Sequence, residues 1–95
     1  MAASDNLNQD QFRVLYHRTS PENAEQINQD RRMHSKENTG EVFFSTHKDG
    51  QGTGYGEGVV RVRVPARLAE LDDEFPSGEQ HYRIRARDLR PEHFQ

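Results

Sequence analysis

Cysteine is absent from this chain. Without it there is neither a disulfide framework nor a thiolate metal site, although the absence fits any compartment. Apolar residues are scarce too: Leu, Ile, Val and Phe make up 18 of the 95 residues. That is close to the level at which a highly charged chain stays disordered. No hydrophobic run is long enough for a signal-peptide core or a membrane span, so a cytoplasmic protein without membrane contact is expected. Nor is there a large excess of one charge. The formal net charge of −3 argues against a general affinity for nucleic acid.

The few apolar residues are clustered with clear periodicity, and a single, modestly stable folded domain follows. Residues 1–11 read as a flexible polar tail, 12–91 as the domain and 92–95 as a frayed end. Phe12, Val14 and Tyr16 alternate with Leu15 and His17 along a first strand. Ser20 and Pro21 then open a short helix to about Asn28, with the hydroxyl as cap and proline at the first helical position. Residues 29–40 read as a loop and 41–46 as a second strand. Val60, Val62 and Val64 alternate with Arg61 and Arg63 in a third. A turn-rich acidic link is expected over 72–78, and a last strand over 79–87 alternates Tyr82 and Ile84 with His81, Arg83 and Arg85. The fold class is α+β, a small and mostly antiparallel split sheet with one short N-terminal helix. The Val/Arg and Tyr-Ile/Arg strands are expected to be antiparallel neighbours with a solvated arginine face. No aromatics interleave with those arginines on the same strand face, so stacking of a single nucleic-acid strand is not expected there.

Between the second and third strands glycine occupies every second position from Gly50 to Gly58. Such a backbone can serve as a phosphate cradle, a flap or a plain loop, and it matches neither a Walker loop nor a dinucleotide-binding fingerprint. Asp72, Asp73 and Glu74 read as a solvated acidic turn. His34, His47, His81 and His93 are too scattered for a metal site, so no metal is expected.

In order along the chain, Leu15-Tyr16-His17-Arg18-Thr19-Ser20, Gly40-Glu41-Val42-Phe43-Phe44-Ser45-Thr46, Tyr55-Gly56 with residues 59–65, and Gly78-Glu79-Gln80-His81-Tyr82 resemble a compact ADP-ribosyltransferase domain. The likeness spans roughly residues 12 to 91. It implies NAD as substrate and a macromolecular acceptor, protein in preference to nucleic acid, with a toxin, effector or anti-defence role. It also implies Glu79 as the catalytic carboxylate. His17, Arg18 and Thr19 would hold the cofactor, Tyr55 or else Phe44 would stack on nicotinamide, and Ser45 with Thr46 would brace the glutamate or the ribose. The family divides into His-Tyr-Glu and Arg-Ser-Glu types, and this chain carries elements of both. His17 and Arg18 point to opposite faces of their strand, so only one of them reaches the ligand. Two other functions stay open: a non-catalytic module that docks on a host protein, and an NAD-dependent RNA 2′-phosphotransferase.

Overall fold

The computed structural model describes residues 11–33 and 40–95. The tail expected over residues 1–11 lies outside the described residues except for Gln11, as do residues 34–39 of the expected loop. The described chain is a small α+β domain. Its strands are β1 (Phe12–Thr19), β2 (Glu41–Ser45), β3 (Gly58–Pro65), β4 (Glu70–Glu74) and β5 (Gln80–Arg85), with helix α1 (Pro21–Asp30) after β1. They form a five-stranded sheet in the order β3-β1-β2-β5-β4, and every neighbouring pair is antiparallel.

The helix begins as its sequence dictates. Ser20 has extended backbone and its Oγ accepts a hydrogen bond from the Asn23 amide at 3.2 Å, which satisfies one free donor of the first turn. Arg31, in the left-handed conformation, ends it by donating its amide to the Ile27 carbonyl. Ala24 and Ile27, one turn apart, are buried against the sheet.

Register decides which side of each strand is core. Leu15 pairs with Val62, and Tyr16 pairs with Ser45. Phe44 pairs with Tyr82, and Val42 with Ile84. Because partners in a ladder share a face, Leu15, Val60, Val62, Val64, Val42, Phe44, Tyr82 and Ile84 all lie on the side covered by α1. Met33, Leu89 and Phe94 complete that core. The other face carries Phe12, Val14, Tyr16, Arg61, Arg63, Phe43, Ser45, His81 and Arg83.

β1 and β2 are in register only at Tyr16 and Ser45, whereas β1 pairs with β3 along its whole length. The sheet therefore loosens between its β3-β1 and β2-β5-β4 halves. The imidazole of His17 spans this gap, with Nδ1 donating to the Phe43 carbonyl at 2.9 Å.

Three sequence expectations are corrected. β3 and β5 are not neighbours, because β1 and β2 lie between them. Alternation reports which way side chains face and is silent about which strand lies alongside. The acidic link begins instead as an edge strand, β4, paired with β5; Arg83 binds Glu70 at 2.8 Å and Asp72 at 2.9 Å across that pair. Its row of carboxylates suits an edge, where charge discourages pairing with a further strand. The C-terminal residues are not frayed: Phe94 is buried and bridges Val62, and the Gln95 amide donates to the Arg61 carbonyl at 3.0 Å. Among the described residues no helix is long and apolar enough to cross a membrane.

Candidate functional site

The hairpin between β4 and β5 turns through Phe75-Pro76-Ser77-Gly78. The Gly78 amide donates to the Phe75 carbonyl, and the Phe75 amide to that of Glu79. Proline suits the second position of such a turn, and glycine takes the left-handed residue that ends it, here at φ 95°. Glu79 is thereby delivered at the head of β5, two residues before His81 and on the same face.

Glu79 is only 2% exposed, yet its carboxylate is fully engaged. Ser45 Oγ donates to Oε2 at 2.5 Å, and His81 Nε2 donates to the same oxygen at 2.9 Å. The Gln51 amide lies 3.0 Å from both oxygens. Ser45 is itself oriented, because its Oγ accepts from the His47 amide at 3.0 Å and so directs its hydroxyl proton at Glu79. Burial alone would push the Glu79 carboxyl up. The bonds from Ser45, His81 and Gln51, with the charge of His81, outweigh that and hold it below the usual carboxylate value. The site therefore keeps a buried carboxylate ionised.

The glycine-rich segment after β2 is folded onto this carboxylate as a 3₁₀ turn (Gln51–Tyr55). Gly50 approaches Glu79 so closely that a Cβ there would collide with the carboxylate. Arg18 fastens both ends of the segment. Its Nε donates to the Lys48 carbonyl at 2.8 Å, one Nη to the Gly56 carbonyl at 3.2 Å, and the other to Asp49 at 2.6 Å. Among these contacts the two carbonyl bonds come from a guanidinium fork that a lysine cannot reproduce. Replacing Arg18 by lysine is expected to raise amide hydrogen exchange across residues 50–56 at least tenfold, the Gln51 amide included. Unchanged protection there would show that the segment is held by something else.

Of the residues singled out by sequence, Arg18, Ser45 and Glu79 share the face away from the helix. His17 and Phe44 lie on the opposite face, their ring centroids 5.7 Å apart, and Phe44 is a core residue. Thr19 accepts a hydrogen bond from Asn23 at the start of the helix. Thr46 Oγ1 accepts from the Gln80 amide, so it braces the end of β2 rather than Glu79. Tyr55 closes the 3₁₀ turn and is 79% exposed. Sequence reasoning missed His81 as a partner of Glu79. The signal was present, since residues two apart on a strand share a face. It also missed the Gln51 amide, for which no side-chain pattern could give a sign. Among the described residues no three His, Cys, Asp or Glu side chains gather as metal ligands.

The site has an acid-sensitive companion in His17. Burial pushes its imidazole down, partly opposed by the bond to the Phe43 carbonyl. Burial lowers His93 as well. Both histidines take up a proton more readily unfolded than folded, so stability must fall as pH drops below the unfolded value of about 6.5. Glu79 acts in the same direction at lower pH: its contribution is present above the unfolded carboxylate value and is lost as pH falls through the depressed folded one. Urea midpoints are expected to decline in two stages from pH 7.5 to 3. Glutamine at both His17 and His93 should remove the upper stage. A midpoint that stays flat or rises between pH 7 and 5.5 would contradict the assignment.

Compared with family models, with curated proteins and with solved structures, the chain matches none of them.

Proposed function

We propose that this chain is an NAD-dependent ADP-ribosyltransferase of the Arg-Ser-Glu kind, acting on a macromolecular target as a toxin, effector or anti-defence protein does. The observation that carries the reading is the buried Glu79 carboxylate, kept ionised by an oriented Ser45 hydroxyl, on the sheet face that Arg18 shares. The nicotinamide–ribose bond of NAD would break with nicotinamide leaving on the bonding pair, and a nucleophilic atom of the target would form the new bond to the ribose carbon and give up its proton. Glu79 would accept a hydrogen bond from a ribose hydroxyl and stabilise the positive charge that develops as that bond breaks. Ser45 would keep the carboxylate in place. Arg18 would orient the diphosphate with its guanidinium fork, and Tyr55, exposed at the end of its turn, would stack on the nicotinamide ring. His17, on the other face, would have a structural part at the β1–β2 gap.

The residue types suit NAD, and the segment over residues 48–56 sets the condition. Its Gln51 amide occupies both carboxylate oxygens, and Arg18 is committed to its carbonyls. Access therefore requires that segment to lift, a motion of the kind seen in active-site lids. The same sealing supports a second reading, a non-catalytic module that docks on a protein partner and has no use for an open carboxylate.

Calorimetric titration with NAD, followed by incubation of a cell lysate with a labelled NAD, separates the two. Saturable binding and a labelled target support the transferase. No heat up to millimolar NAD and no label would overturn it in favour of the docking module.

A further inference from the structure

The helix-free face carries a feature that no reading of the site uses. Along β1 and β3, Val14 stands opposite Arg63, Tyr16 opposite Arg61, and Phe12 opposite Pro65. Phe12 is 46% and Val14 36% exposed, and both arginines are exposed. The Arg63 guanidinium lies over the Phe12 ring, 4.1 Å from its centroid. Among the described residues neither Arg61 nor Arg63 has an ion-pair partner. Elsewhere Arg83 meets Glu41, Glu70 and Asp72, and Arg18 meets Asp49. In a protein of net charge −3, two adjacent exposed and unpaired guanidinium groups make a local positive strip.

We propose that this strip, built from Phe12, Val14, Tyr16, Arg61 and Arg63, is a binding surface for single-stranded nucleic acid. The aromatics that sequence order keeps apart from the arginines are interleaved with them by the β1–β3 pairing. Arg61 and Arg63 are two residues apart on one strand, hence about 7 Å from each other, a span suited to successive phosphates of an extended strand. Phe12, half-exposed, becomes a stacking platform of the kind that takes any unpaired base once the Arg63 guanidinium leaves its ring for a phosphate. A duplex hides its base faces and cannot use such a platform. Part of the outer edge of β3 is taken by Phe94, which bridges Val62, and by Gln95, whose amide donates to the Arg61 carbonyl.

The surface stands whether or not NAD binds, so its test contains no NAD. Fluorescence anisotropy with labelled oligothymidine and oligouridine of about 15 nucleotides is expected to show saturable binding at low salt. Arg61→Ala and Arg63→Ala should each weaken it and each reduce the slope of log affinity against log salt by about 0.7. Phe12→Ala should weaken it about tenfold while leaving the salt slope unchanged. Arg87→Ala, an exposed arginine away from the strip, serves as the control for general charge. Absence of binding to the single strands would overturn the proposal. So would equal affinity for duplex and single strand with no effect of Phe12→Ala, or equal losses from Arg87→Ala and Arg63→Ala.

Discussion

Under the transferase reading Glu79→Ala is expected to abolish NAD turnover; it should also destabilise the domain by about 3 kcal/mol, whereas Glu79→Gln should abolish turnover at a cost nearer 1 kcal/mol. The difference follows from the donors around the carboxylate. Ser45 Oγ, the Gln51 amide and His81 Nε2 all donate to it in a site that is 2% exposed. Alanine leaves them without an acceptor and opens a cavity beside them. Glutamine keeps one acceptor oxygen, which at the Oε2 position still serves Ser45, His81 and Gln51, and its amide group takes the Oε1 position beside the Gln51 amide. What glutamine cannot supply is negative charge facing a developing cation, a deficit of at least a hundredfold in rate for groups of this kind. Urea denaturation of both variants and a nicotinamide-release assay measure the two effects. A glutamine variant with wild-type turnover would remove Glu79 from the chemistry. An alanine variant of wild-type stability would mean that its partners find water without penalty.

Much of this arrangement is legible in sequence, for definable reasons. The helix announces itself through Ser20 and Pro21, and β1, β3 and β5 through strict alternation, because local chemistry decides both. β4 is not legible. Glu-Leu-Asp-Asp-Glu has no apolar face, and it extends because the Pro76–Gly78 turn brings it beside β5 and Arg83 binds its carboxylates. Strand order is equally hidden, since alternation tells which side chains share a face and leaves the neighbour open. At the site, alternation already separates His17 from Arg18. Only the Tyr16–Ser45 register decides that Arg18 is the one on the side of Glu79. The closure of the site by a backbone amide of Gln51 has no side-chain signature at all.

That closure explains why a polar, thinly cored domain can keep a carboxylate buried. The segment over residues 48–56 supplies a donor that burial would otherwise demand from water, and Arg18 supplies its anchor. Stability and access are therefore opposed in this site: the Gln51 amide, which with Ser45 and His81 holds Glu79 ionised, also excludes a ligand from it.

Gly50→Ala tests that opposition most directly. A Cβ at residue 50 would meet the Glu79 carboxylate, and one of the two must move. The carboxylate is fixed by Ser45 and His81 on paired strands, whereas the segment rests mainly on Arg18 and the Gln51 bond, with Gln51, Thr53, Gly54 and Tyr55 exposed. The segment is expected to give way, at about 1–3 kcal/mol of stability, the usual cost of forcing a methyl into a filled site. Amide exchange at residues 50–56 should then approach that of unprotected chain, with β1, β3 and β5 still protected. The consequence for NAD differs from that of loosening Arg18. With Arg18 replaced, the segment can still close over a ligand; with alanine at residue 50 it cannot return to its place beside Glu79. Under the transferase reading NAD should both associate and dissociate faster than with the parent protein, as measured by stopped-flow fluorescence of an etheno-NAD. Protected amides in the variant would show that Glu79 moved instead. Open amides with unaltered NAD kinetics would show that the segment is no gate to the carboxylate.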